Sequence, residues 1–553
     1  MKRQKNYPLN EVEPFSTLRQ MLKMRAEAAG ETIAFKYQKS KEIISVTYNE
    51  FYNDTLYLGT ALSDMGIEKK HIACIGQNSY TWLVVYLCAL SSNNVFVPID
   101  KDLPEADILN VINHSETDII FCDEKYEKLF SDKREEMPNV KVVSFSSAPE
   151  NALSYFELIE KGKSLYDAGD RRFEEAEPNS LEELKTILYT SGTTGMSKGV
   201  MLSEKNLVSC VYYGLQVSTV FDVCLSVLPY HHTYESVCGI LVSLHKGATI
   251  CINHNLKQVL SNLELYKPSY IMLVPAFAEL FYSKIQKNIK QTGKEKGFKI
   301  LIGLSRFLRF FGIDARKKLF AQVHKVFGGN MRKIVCGGAP IRSEIGEFFD
   351  DIGIDLISGY GITECSPLVS CNRDFFNDPA TVGVCLPCIE VKIDKPNEEG
   401  IGEIIVKGDT VMMGYFKDEK LTSEAIIDGW FYTGDYGKFN KKGQLMITGR
   451  KKNLIVLSNG KNIYPEELEN YISSIPEVKE VIVYSDKEAD GAEKTLSAQI
   501  FLDPETPLSH AELKKKVSEA MASLPSYKQI SEIIIRDKEF EKTTSNKIKR
   551  QNI

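Results

Sequence analysis

The chain has 553 residues, 43% hydrophobic and 26% charged, with a formal net charge of −6. That length exceeds what one hydrophobic core supports and predicts a large body plus a smaller domain. The acidic balance, with a pI near 5.9, argues against nucleic acid as a main partner. The basic start, Met1 to Pro8, has no apolar stretch behind it and is not a secretory signal. The longest apolar run, Trp82–Leu90, is too short to span a membrane and reads as a buried helix. A cytoplasmic protein is expected. Twelve cysteines, mostly beside Val, Ile and Leu, read as reduced core residues. Cys385-Leu386-Pro387-Cys388 is a lone CxxC with no second pair or spaced histidines, so a structural role is expected rather than zinc binding.

In chain order, His71–Gly76 reads as a strand, followed by the apolar helix and a second strand at Val95–Ile99. Ala106–Ser115 has helical spacing and Asp118–Cys122 is strand-like again. The rhythm recurs around 248–252, 269–274, 333–336 and 355–357. Such alternation predicts an α/β body of mostly parallel sheets flanked by helices, with ligands at the carboxyl ends of strands.

Thr186–Tyr189 leads into Thr190-Ser191-Gly192-Thr193-Thr194-Gly195-Met196-Ser197-Lys198-Gly199, after which the chain heads toward Asn206–Ser209. Glycines let backbone N–H groups converge on phosphoryl oxygens, the hydroxyls add donors, and Lys198 adds a mobile positive charge. The spacing is not the Walker pattern, yet it reads as a phosphate loop.

Lys284–Val326 carries twelve Lys/Arg against two acidic residues, interleaved with Leu301, Ile302, Leu304, Phe307, Leu308, Phe310 and Phe311. Two readings stand. A basic amphipathic helix can lie on an anionic membrane, and a helical insertion can pack on its own domain with its lysines in water; packing is the favoured expectation.

Three more clusters suit nucleotide chemistry. Gly337-Gly338-Ala339-Pro340 leaves room for a flat base, and Gly359-Tyr360-Gly361-Ile362-Thr363-Glu364 supplies an aromatic face, a hydroxyl and a carboxylate fit for magnesium. Asp435, in Trp430–Asp435, suits ribose hydroxyls. From about Arg450 the pattern changes to a compact α+β unit. It reads as a helix from Pro465 to Ile472, strands Val478–Tyr484 and Leu496–Leu502, a helix at His510–Leu524 and a strand at Glu532–Arg536.

The order of Tyr189–Val200, Gly337–Pro340, Tyr360–Glu364, Tyr432–Asp435, Thr448-Gly449-Arg450-Lys451-Lys452 and Lys547 resembles the adenylate-forming superfamily over roughly residues 15 to 550. Within it the chain is most similar to bacterial long-chain fatty acid–CoA ligases, on Leu228-Pro229-Tyr230-His231-His232-Thr233-Tyr234-Glu235, the helical insertion (284–326) and the ending Lys542–Arg550.

The resemblance implies a body over 1–449 and a mobile lid domain over 450–553. It implies that a carboxylate attacks the α-phosphorus of ATP, with Mg2+, giving acyl-AMP and pyrophosphate, and that the thiol of coenzyme A then displaces AMP. Thr190–Gly195 and Lys198 would hold the β- and γ-phosphates, Thr363 would contact phosphate and Glu364 magnesium. Gly338, Ala339, Pro340, Gly359, Tyr360 and Gly361 would form the adenine pocket, and Asp435 with Arg450 would hold the ribose. His232 would stand beside the acyl carboxylate, leaving His231 ordinary. Lys547 would bridge α-phosphate and carboxylate. Rotation about Lys452 would withdraw Lys547 and bring the Ser458–Lys461 loop, with Gly460, beside the thiol. Asn546 departs from the glycine many relatives carry before that lysine. A separate acyl carrier protein is the alternative thiol acceptor, and a catalytically silent binding protein is the third reading.

Overall fold

Ser79 caps the helix Tyr80–Leu90 by accepting the Trp82 N–H at 3.2 Å, and every side chain from Trp82 to Leu90 is buried. A helix apolar all round must be covered all round. In the computed structural model it is the crossover between two parallel strands, His71–Ile75 and Val95–Ile99. The structure describes residues 6–190, 197–457, 461–487, 493–542 and 548–550.

The chain divides into two units, 1–390 with 406–431, and 391–405 with 432–553. The first holds two large sheets. One runs in the order Val384–Cys385, Leu368–Cys371, Asp355–Gly361, Lys333–Cys336, Tyr270–Leu273, Val223–Ser226, Thr249–Ile252, Ile33–Lys39, Glu42–Thr47. Its central neighbours pair parallel and its edges antiparallel. The other runs Gly414–Tyr415, Lys198–Ser203, Leu184–Thr190, Val95–Ile99, His71–Ile75, Ile119–Cys122, Lys141–Ser144, Leu153–Ser154, again with a parallel centre. Strands buried on both faces need helices on both sides, and the near-continuous apolar runs supply that burial. The anticipated α/β body is therefore what forms.

Close packing of those helices depends on Gly162 in Tyr155–Asp167. A Cβ there would meet the Tyr57 carbonyl oxygen of the helix Tyr48–Asp64 at 1.8 Å.

The second unit contains a three-stranded sheet, Val478–Lys487, Glu493–Leu502 and Glu532–Arg536, with helices Pro465–Ile472 and His510–Ala520. Pro465 occupies the first turn and Glu466 and Glu467 face the helix's positive end. The first two strands are longer than the sequence indicates, and the last helix ends at Ala520 rather than Leu524. Leu468, Ile472, Val483, Ala498, Ile500 and Leu513 form its core. The expected cut at 449/450 falls inside this unit, which already includes Val391–Ile405 and Tyr432 onward.

Candidate active site

Thr190 ends one strand and Lys198 opens the next, and the two are paired partners of an antiparallel ladder. The strands on either side of the phosphate motif are therefore antiparallel neighbours, and the helix Glu204–Val217 starts only after the second strand. Ser191, Gly192, Thr193, Thr194 and Gly195 lie outside the described residues, as do Gly460 and Lys547. The Lys198 ammonium stands 5.5 Å from the centre of the Tyr415 ring.

Tyr415 also donates its hydroxyl to Glu364 Oε1 at 3.0 Å. Burial, and then that carboxylate, push its phenol far up, so it stays a donor. Thr363 and Glu364 stand on a single 3-10 turn directly after the strand Asp355–Gly361. Lys198, Tyr415 and Glu364 thus form one polar group drawn from three distant stretches. No motif points to Tyr415; its two-residue strand sits at a sheet edge beside Lys198–Ser203.

Gly337 follows the strand Lys333–Cys336 and packs against Tyr234, whose ring a Cβ would meet at 3.2 Å. Gly338 has φ +85°, and it, Ala339 and Pro340 are exposed. At Gly361 a Cβ would strike the Pro367 carbonyl oxygen at 2.1 Å, so that strand end tolerates glycine alone. Tyr360, beside it, is buried.

Gly337, Gly338, Gly359, Tyr360 and Gly361 all border one apolar cavity. The helix Glu204–Val217 contributes Cys210 and Gly214, the helical stretch Tyr234–Leu241 contributes Tyr234 and Cys238, and Val242 opens the helix after it. Tyr234 anchors its hydroxyl on the carbonyls of Val335 and Leu273, at 3.1 and 3.3 Å, leaving its ring to the cavity wall.

Tyr234–Leu241 is a π-helix, a rare element that often marks a functional site. Within it Glu235 is buried and accepts from the Ser226 hydroxyl. Burial pushes its carboxyl up to about 8. Just before the π-helix, the His231 and His232 rings lie 4.2 Å apart, and His231 Nε2 is 3.5 Å from Asp100 Oδ2. Burial, and then His232, hold His231 well below the usual imidazole range.

In the second unit Asp435 and Arg450 face each other across an antiparallel ladder, Nε to Oδ1 at 2.8 Å. The two residues expected at the ribose are thus ion-paired to each other. Arg450 fixes a carboxylate that is itself almost fully buried.

The donor chemistry fits a magnesium nucleotide. Among the described residues no group of three or more His, Cys, Asp or Glu could hold a metal ion. Magnesium keeps most of its water and binds through one or two carboxylates plus phosphate oxygens, so a single carboxylate at Glu364 suits it. Cys385 and Cys388 are half-buried, with burial pushing both thiols up to about 12.

Comparison with known proteins agrees. The profile of the AMP-binding enzyme family matches residues 22–416, and that of the AMP-binding enzyme C-terminal domain matches 467–547. The chain is 30% identical to long chain acyl-CoA synthetase 4 of Arabidopsis thaliana, over 79% of this chain and 71% of that protein. It is 28% identical to the long-chain-fatty-acid–CoA ligase FadD15 of Mycobacterium bovis, over 83% and 78%. Among solved structures, the anthranilate CoA ligase AuaEII with anthranoyl-AMP superposes with a TM-score of 0.78 at 17% identity, covering 97% of this chain and 96% of that one. ATP-bound MatB from Rhodopseudomonas palustris does so with 0.75 at 24% identity, covering 96% and 97%. The chain belongs to the AMP-binding enzyme family and is an AMP-forming acid–thiol ligase that works with ATP and Mg2+.

Proposed function

We propose that the acid is a long-chain fatty acid and that the product is its coenzyme A thioester. The observation that carries this is the apolar cavity, which is lined by Gly338, Gly359, Tyr360 and Gly361, residues that we assign to adenine. A chain lying in that cavity brings its carboxylate to the nucleotide. The relatives' names, as long-chain acyl-CoA synthetases, support the same class of acid.

In the first half-reaction a carboxylate oxygen bonds to the α-phosphorus and the bond to pyrophosphate breaks. The demand on the protein is to gather two anions and stabilise a crowded, negative transition state with positioned cations and N–H donors. Lys198 and the Thr190–Gly195 loop would hold the outer phosphates and Thr363 would donate to phosphate. Glu364, steadied by Tyr415, would carry Mg2+, which neutralises phosphate charge when bound. Lys547 would bridge the α-phosphate and the acyl carboxylate, with His232 beside that carboxylate. Asp435, fixed by Arg450, would accept from ribose hydroxyls. In the second half-reaction the thiol sulfur bonds to the acyl carbon and AMP leaves. For this we assign a mobile domain pivoting at Lys452, which exchanges Lys547 for the loop around Gly460.

Two finer placements are proposals as well: peripheral contact with the inner face of an anionic membrane, and coenzyme A rather than a separate acyl carrier protein as acceptor. Among the described residues no helix is long and apolar enough to cross a membrane. The test is AMP release from ATP across an acid series, with coenzyme A or a purified acyl carrier protein. Each buried methylene is worth about 0.8 kcal/mol, so acids of about twelve or more carbons are expected to lead. Acetate as the best substrate would sink the chain-length claim, and thioester on the carrier alone would replace coenzyme A as acceptor.

A further inference from the structure

The basic insertion does two things at once. One side of the helix Glu295–Phe310 packs on its own unit. Phe298 meets Phe320 and Phe348 with ring centres 5.2 and 6.0 Å apart, and Arg309 pairs with Asp350 and Asp351 at 2.9 and 3.0 Å. The expectation of a packed helix holds for that side. The opposite side is apolar and exposed. Ile300 is 69% exposed, Phe307 61%, Phe310 84% and Phe311 62%. With Leu304, the spacing 300, 304, 307, 311 makes one continuous stripe along a helix face. Exposed phenylalanines in a contiguous patch mark an interaction surface rather than a solvated face.

Charge says what covers it. The exposed lysines Lys290, Lys294, Lys296 and Lys299 crowd the end of the stripe where the helix begins. A protein partner would have to answer both a ridge of bulky aromatics and a block of positive charge. An anionic bilayer answers both without a matched shape, because acyl chains take the rings and headgroups take the ammonium groups. At 16 residues the helix is about 24 Å long, a length that lies in an interface and does not cross it.

We infer that Glu295–Phe310 is the membrane-docking face of this protein, seating Phe307, Phe310 and Phe311 among the acyl chains of an anionic leaflet with Lys296 and Lys299 at the headgroups. This rests on the peripheral placement proposed above and names the residues that make it. It places the enzyme where an insoluble acid partitions.

Co-sedimentation with vesicles of phosphatidylcholine alone, or with phosphatidylglycerol added, tests it on the full chain. Wild type is expected to bind the anionic vesicles at least about tenfold better, and to be released by salt. Phe307→Ser with Phe311→Ser, and separately Lys296→Gln with Lys299→Gln, are each expected to weaken that binding about tenfold or more. Both are expected to leave AMP release from a short soluble acid unchanged without vesicles. If the variants bind as wild type does, this helix is not the docking face, although peripheral placement stands on another surface. If wild type binds neither vesicle, both ideas fail. A wild-type dimer that the phenylalanine variant splits, with no vesicle binding, would assign the stripe to a second copy of this chain.

Discussion

Glu235 keeps a proton at neutral pH because burial raises its carboxyl to about 8, with the Ser226 hydroxyl and the Leu228 backbone opposing that rise only in part. In the unfolded chain the same group ionises near 4.5. Between those values the folded state holds a proton that the unfolded state has lost. The contribution of this group to stability is therefore full below about 4.5 and declines until the pH passes about 8. Glu235→Gln keeps a neutral side chain of the same shape. Urea unfolding across that window is expected to show the variant gaining on wild type as pH rises, by a few kcal/mol in order of magnitude. Parallel curves would mean that Glu235 is ionised in the folded protein. The neutral carboxyl matters because it underlies the wall of the apolar cavity: Tyr234 and Cys238 of its own π-helix line that cavity.

At the scale of elements, composition and period carry different amounts of information. The parallel strands and the helix Tyr80–Leu90 were legible because buried strands and helices leave unbroken apolar runs. The motif glycines were legible too, and Gly361 and Gly338 show why: one cannot accept a Cβ and the other has a positive φ. The strand Lys198–Ser203 was not. It gains its identity by pairing with Leu184–Thr190 on one side and with Gly414–Tyr415, more than two hundred residues later, on the other. The same long-range pairing hid Tyr415. The π-helix was equally invisible, since its extra residue per turn leaves no distinct apolar period over eight residues. His231 reads as ordinary in sequence, but its approach to Asp100 depends on the end of a strand formed more than a hundred residues earlier. The basic insertion was legible as charge alone; only burial tells its packed side from its exposed one.

Across the whole molecule, the proposed mechanism has one active site serve two chemistries by exchanging groups from the C-terminal region. Lys452 stands on the 3-10 turn Lys451–Asn453, directly after the strand that carries Arg450. Lys451 is tied to Glu403 at 2.5 Å within the same unit, so the residue next to the proposed pivot is anchored. Lys547→Ala is expected to lower acyl-AMP formation about a hundred- to a thousandfold, the usual cost of one preorganised transition-state contact. Thioester formation from pre-made acyl-AMP is expected to stay near the wild-type rate. Lys452→Pro is expected to do the reverse, because proline fixes φ near −65°. Stopped-flow measurement of each half-reaction separates the two. Equal damage to both by Lys547→Ala would mean that this lysine does not belong to an exchanging lid.

The claim on which the rest depends is that the cavity beside the glycine strands holds the acyl chain, and Gly214 offers the most direct test. It lines that cavity from the helix Glu204–Val217, and a Cβ there meets only Leu368, at an ordinary 3.5 Å. Gly214→Leu therefore puts a side chain into the cavity without changing any residue assigned to the nucleotide. The measurement is kcat/KM for AMP release across saturated acids from about eight to eighteen carbons, for wild type and variant. Each methylene denied burial costs about 0.8 kcal/mol, or about fourfold. The optimum is expected to move to shorter acids, with the longest acids losing most and the shortest least. An unchanged profile, or an equal loss at every chain length, would contradict it.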